Sequence, residues 1–100
     1  MRADRAQVDG SDVELIHEHH THIRTPQGLA YVARTFAMRN EDGLWQGWLE
    51  FHSIDHEGPA LRTDRETTQS TAAAVAYWAS GLEPVYLEGA FARAHLVSAE

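Results

Sequence analysis

Leu29-Ala30-Tyr31-Val32-Ala33-Arg34-Thr35-Phe36-Ala37-Met38-Arg39 and Leu44-Trp45-Gln46-Gly47-Trp48-Leu49-Glu50-Phe51-His52-Ser53-Ile54 are two runs rich in aromatic and β-branched residues, separated by Asn40-Glu41-Asp42-Gly43. Gly43 takes a positive φ at no steric cost, so the pair reads as a tight antiparallel hairpin. Two registers compete. A two- or four-residue loop puts Val32, Phe36 and Met38 on one face with Trp45, Leu49 and Phe51. A three-residue loop with a glycine bulge instead pairs Phe36 with Trp48 and Arg34 with Glu50, and sets Ala33 and Ala37 opposite Phe51 and Gly47. The bulged register is favoured, because it pairs opposite charges and matches large side chains with small ones. Under either register both hairpin faces carry large apolar groups, whereas an antiparallel sheet in a small monomer usually keeps one face wet. The N-terminal strand, the C-terminal segment or another subunit is therefore expected to cover the second face.

Outward from the hairpin, Val13 to Ile23 has no Gly or Pro and reads as a strand, and Thr25-Pro26-Gln27-Gly28 as a turn. After Gly58-Pro59, Ala60 to Thr63 makes a short third strand. Thr67, Thr68 or Ser70 is the expected N-cap of an Ala-rich helix running to Ser80, with Gly81 as its left-handed C′ residue. Ala72, Val75, Ala79 and Leu82 line one helix face with Trp78 at its edge, while Ala73 and Tyr77 point away. Pro84 is expected to prevent continuation, leaving Val85-Tyr86-Leu87 as a fourth strand. Gly89 breaks that strand, and Ala90 to Ser98 forms a last helix. The order implies an α+β fold, a small antiparallel sheet packed against one main helix. Residues 1–11 read as a loose tail and 12–100 as one domain.

Composition narrows the function classes. A chain of 100 residues, 43% hydrophobic and 23% charged, is ordinary globular material with room for one core. The absence of cysteine excludes disulfides, thiolate chemistry and Cys-based metal sites. Eight basic against fifteen acidic residues give a net charge of −7, which argues against broad binding to nucleic acid or anionic membrane. All basic residues other than His are Arg, and Ala is abundant, a bias expected of a GC-rich bacterial genome. Arg2 and Arg5 precede no apolar run, and no stretch is long enough to span a membrane, so the cytoplasm is the expected location.

His17-Glu18-His19-His20-Thr21-His22 is the densest chemical cluster. On a strand, His17 and His19 face one side and His20 and His22 the other. Each pair supplies two positions of a zinc, nickel or copper site, with His52, His56, Glu50 or Asp55 as candidates to complete it. The competing reading is an exposed strand of solvated histidines in which His17 and His19, in parity with Val13, Leu15 and Ile23, pack inward. Arg62, Asp64, Arg65 and Glu66 interleave their charges and read as a solvated loop with local ion pairs. The chain is also rich in Trp and Tyr, which anchor interfaces by burying area while keeping a polar tip. Trp48, Tyr77 and Tyr31 are the candidate contact residues. No nucleophile elbow and no acid–base carboxylate pair stands out, so the sequence points away from catalysis.

From residue 29 to 88, the Tyr31-Val32-Ala33 stretch, the Glu41-Asp42-Gly43 turn and Thr67-Thr68 opening an Ala-rich helix resemble the HicB-type antitoxin domain. That resemblance implies a small oligomerising fold that neutralises a partner ribonuclease toxin, and only its architecture carries over to named positions. In size and composition the chain equally resembles many small bacterial α+β proteins. The sequence thus leads to a non-catalytic protein-association module, expected to be homodimeric and to need no cofactor. The alternative is a metal-binding or metal-sensing protein centred on residues 17–22.

Overall fold

The computed structural model describes residues 12–97. They form strands β1 (Glu14–Arg24), β2 (Ala30–Arg39), β3 (Trp45–Ser53), β4 (Leu61–Arg62) and β5 (Thr67–Gln69). Helices α1 (Ala72–Ser80) and α2 (Pro84–Arg93) and a last short strand β6 (His95–Leu96) follow. The sheet order is β1-β2-β3-β4-β6, with β5 also pairing β3, and every pairing is antiparallel. The architecture is α+β, one sheet packed against two helices. Among the described residues no helix is long and apolar enough to cross a membrane.

The central hairpin adopts the bulged register. Phe36 pairs Trp48, Arg34 pairs Glu50, Ala33 pairs Phe51 and Ala37 pairs Gly47. Gly43 sits at φ +84°, and Asn40 Oδ1 accepts hydrogen bonds from the backbone N–H of Asp42 and Leu44. Direct partners share a sheet face, so Ala33, Thr35, Ala37, Leu49 and Phe51 all point to one side. All five are fully buried, and the helices lie over them.

Small side chains on that face let the helices come close. A Cβ added at Gly47 would lie 3.0 Å from Thr67 Cγ2 and 3.1 Å from Val75 Cγ1. Helix α1 buries Val75 and Ala79 and turns Tyr77 outward, as its periodicity predicts. Helix α2 sets Leu87 and Ala90 into the cluster formed by Ile23, Ala33, Leu49 and Phe51.

Several local expectations need correction. Thr67 and Thr68 belong to β5 and do not open the helix, because Glu66 N–H bonds to Gly47 O and holds the chain along β3. Thr71 caps α1 instead, its side chain accepting from Ala74 N–H at 3.0 Å. Gly81 has φ −95° and is not left-handed; its N–H bonds to Trp78 O and the Leu82 N–H bonds to Ala79 O in a tightened last turn. Pro84 starts a helix where a strand was expected over Val85-Tyr86-Leu87. It occupies the first turn, where its missing N–H has no partner to lose. Gly89 lies on the exposed side of α2, so the helix runs through it. The last helix therefore ends at Arg93, and His95–Leu96 returns to pair β4. The proposed loose tail, residues 1–11, lies outside the described residues, as do 98–100.

A buried carboxylate ties the loop before β5 to α2. Glu66 accepts from the Tyr86 hydroxyl and from Arg93 Nη1 and Nη2 at 2.5 and 3.2 Å. Burial by itself would raise the Glu66 carboxyl, but donation by Arg93 and Tyr86 outweighs it and holds the group below its ordinary range. Stability from this contact is present above the unfolded-state pKa and is lost as pH falls through the depressed value. Replacing Arg93 by Ala should destabilise the fold by about 1–3 kcal/mol at neutral pH in urea unfolding, and the loss should shrink in acid. Gly47→Val should cost a similar amount, about 1–3 kcal/mol, by overpacking against Val75 and Thr67.

Candidate functional site

Both helices cover the same side of the sheet, and the opposite side carries the chemistry. There, register lines up one charged residue from each of four neighbouring strands. Glu18 of β1 pairs Arg34 of β2, Arg34 pairs Glu50 of β3, and Glu50 pairs Arg62 of β4. Signs alternate along the row. Apolar and aromatic residues flank it, with Phe36 beside Trp48 on one side and Val32 beside His52 on the other.

These groups are tightly interlinked. Arg34 Nε lies 3.1 Å from Glu18 Oε1. Trp48 Nε1–H donates to Glu50 Oε2 at 2.9 Å, and His52 Nε2 lies 2.9 Å from Glu50 Oε1. Both Glu50 oxygens are thus engaged by the neighbours two residues away on its own strand. The Arg62 guanidinium lies over the Trp48 ring, 5.1 Å from its centroid. Stacking restrains the guanidinium plane and leaves its N–H edges for an oxyanion. Among the described residues Arg62 has no ion-paired carboxylate. An open cleft of about 400 Å³ lies here, between Met38, Gln46 and Trp48 on the sheet and Arg62, Arg65 and His95 at its margin.

No known family, curated protein or solved structure matches this chain. His52 and Glu50 form an imidazole–carboxylate pair, yet no hydroxyl among the described residues is bonded to His52 as a nucleophile would be. The Ser53 hydroxyl donates instead to His56 O at 2.5 Å. The surface carries a row of alternating charges with aromatic flanks.

The three expected contact residues are not brought together. Trp48 lies on the helix-free face, mostly covered by its neighbours there. Tyr31 is on the helix side, packed on Phe91 and edge-on to His56. Tyr77 is 83% exposed on the outside of α1. Arg62, expected in a solvated run of mixed charge, is the fourth member of the row. Its signal was the hairpin register, which sets Arg34 beside Glu50, but the β4 pairing that completes the row was not readable from the sequence.

The histidines divide between the two faces. β1 carries irregularities between Leu15 and His17 and between Glu18 and His22. They put Leu15 opposite Phe36 on the helix-free face, 54% exposed, so the shared parity expected of Leu15 with His17 and His19 does not hold. His17 and His19 point to the helix side, with ring centroids 4.6 Å apart, edge to face. His20 is exposed, and His22 pairs Val32 on the other face. His56 Nδ1 lies 3.0 Å from Asp55 Oδ1, which also accepts from Ala30 N–H. The His56 and Ala30 bonds hold the Asp55 carboxyl below its usual range. Among the described residues no group of three or more His, Asp or Glu is placed to hold a metal ion.

His19 is buried and shares a 2.8 Å hydrogen bond between Nε2 and Oγ1 of the fully buried Thr35. Burial, and then the neighbouring His17 and His20, lower its pKa from 6.5 to about 4. The unfolded chain therefore takes up this proton more readily than the folded one. Stability contributed by neutral His19 is complete above pH 6.5 and is lost as pH falls towards 4. One proton sets an upper slope of about 1.4 kcal/mol per pH unit. Urea unfolding between pH 6.5 and 5 should show stability falling with a slope that steepens towards this limit in the wild type, and a clearly flatter profile in His19→Gln. An unchanged slope would remove His19 as the source.

Proposed function

We propose that this protein is a non-catalytic association module whose interface is the helix-free face of the sheet and whose partner is a second copy of the chain. The observation that carries the reading is the one-sided covering of the sheet. β2 and β3 place Val32, Phe36, Met38 and Trp48 on a face that neither helix touches. Phe36 and Met38 are half-buried there while Val32 and Trp48 are already covered by their neighbours, and the aromatic and Arg side chains of this face are the types enriched at association surfaces. The charges come in both signs from one chain, as a self-complementary patch requires. The antitoxin-domain resemblance, with its oligomerising fold, is compatible with this reading.

The metal reading has weaker support. His19 is held by Thr35 beneath the helices, whereas His22 and His52 lie on the opposite face with Val32 between them. A zinc, nickel or copper site would have to gather ligands from both sides of the sheet.

Native mass spectrometry of the untagged protein, before and after chelator and with added zinc, tests both readings together. The expected result is a dimer whose mass none of these treatments changes. Phe36→Asn, which removes an aromatic anchor from the proposed face, should shift that dimer towards monomer with its circular dichroism unchanged. A wild-type protein that stays monomeric at high concentration would sink the association reading. A stoichiometric metal released by chelator would put the histidines in its place.

A further inference from the structure

The charged row does more than make the face polar, because its order of signs selects one way for two copies to meet. This step rests on the reading of the helix-free face as the interface. We infer that two copies stack face to face about a two-fold axis running parallel to the strands, between β2 and β3, with Glu18 facing Arg62 of the second copy and Arg34 facing Glu50 of the second copy.

Across β1, β2, β3 and β4 the row reads Glu18, Arg34, Glu50, Arg62, negative and positive in turn. An axis along the strands between β2 and β3 exchanges β1 with β4 and β2 with β3. Because the row has an even number of alternating members, that exchange puts a guanidinium opposite every carboxylate. An axis running across the strands instead returns each residue to its own counterpart, Glu18 onto Glu18 and Arg34 onto Arg34. Four like-charge contacts at the centre of an interface oppose that arrangement.

Packing agrees with the charges. The favoured axis also lays the half-buried Phe36 over Trp48 and the half-buried His52 over Val32, so that each partly open ring meets a side chain its own neighbours already cover. Aligned sheets pack about 10 Å apart, a gap that arginine and glutamate side chains bridge from opposite walls. The cleft beside Trp48 opens at Arg62 and also carries Asp64, which is bonded to His95 Nε2, so the Glu18 carboxylate of the second copy would meet the Arg62 guanidinium at the cleft mouth. Glu18 is the more open of the two carboxylates, its side chain 56% exposed against 14% for Glu50, so the outer pair is the better test.

The experiment uses two full-length charge reversals, Glu18→Arg and Arg62→Glu, alone and mixed, with association followed by analytical ultracentrifugation. Each variant alone meets two like-charge contacts in the proposed dimer and should bind itself at least about 30-fold more weakly than wild type. Mixed in equal amounts, each supplies the charge the other lacks, so both contacts are restored. The mixture should form heterodimers with affinity close to wild type, at concentrations where neither variant dimerises alone. Either variant dimerising alone as well as wild type would overturn this geometry while leaving the association reading intact. So would a mixture that stays monomeric although circular dichroism shows both chains folded. A monomeric wild type would remove both. The neutral pair Glu18→Gln and Arg62→Gln, milder for folding, should each weaken the dimer several-fold, and wild-type affinity in both would equally overturn the geometry.

Discussion

The pairing of Ala33, Thr35 and Ala37 with Phe51, Leu49 and Gly47 governs everything else in this molecule, and a few atoms at the hairpin tip maintain it. Asn40 N–H bonds to Leu44 O at 2.7 Å, Gly43 N–H bonds to Asn40 O at 3.0 Å, and Gly43 accepts the positive φ that closes the loop. Side chains alternate along a strand, so a slip of one residue exchanges the two faces of one strand relative to the other. Phe36 and Arg34 would then lie beneath the helices, where Ala33 and Ala37 now leave space. Helix packing thus requires the same register that lines up Glu18, Arg34, Glu50 and Arg62 on the far side. The core and the charged row are two results of one alignment.

Much of this was legible because it is local. Gly43, the Arg34–Glu50 match and the size complementarity of Ala33 with Phe51 all lie within one hairpin, where cross-strand rules act directly. The amphipathic face of α1 was legible for the same reason, since Val75, Ala79 and Tyr77 obey a helical period. The failures lie where a distant partner outweighs propensity. Thr67 and Thr68 resemble helix caps in isolation, but Gly47 on β3 offers a carbonyl and an empty side-chain position that draw this stretch into the sheet. Pro84 is compatible with ending one helix or starting another. Burial of Leu87 and Ala90 against Leu49 and Phe51 is what favours the second outcome, and no short-range pattern shows it.

The polar interior illustrates the same limit for the candidate site. A histidine in a run of histidines suggests ligands or solvent, yet His19 is a core residue, made so by its bond to Thr35 and the helix above it. Glu66 looked like one member of a charge run, and its role depends on Tyr86 and Arg93, twenty and twenty-seven residues away. Glu66 holds the loop before β5 against α2, one residue after Arg65 at the cleft margin.

β1 is an outer strand of the sheet, and such strands invite growth by addition of further strands. Its pairing with β2 is interrupted twice. Between Leu15 and His17 it carries one residue more than β2, and between Glu18 and His22 two more. Each interruption disrupts the regular ladder and breaks the run of outward N–H and C=O groups that an incoming strand would need. The histidine-rich stretch, whatever else it does, blunts this edge against fibre formation. Strand addition at this rim, which would have no natural end, is thereby opposed.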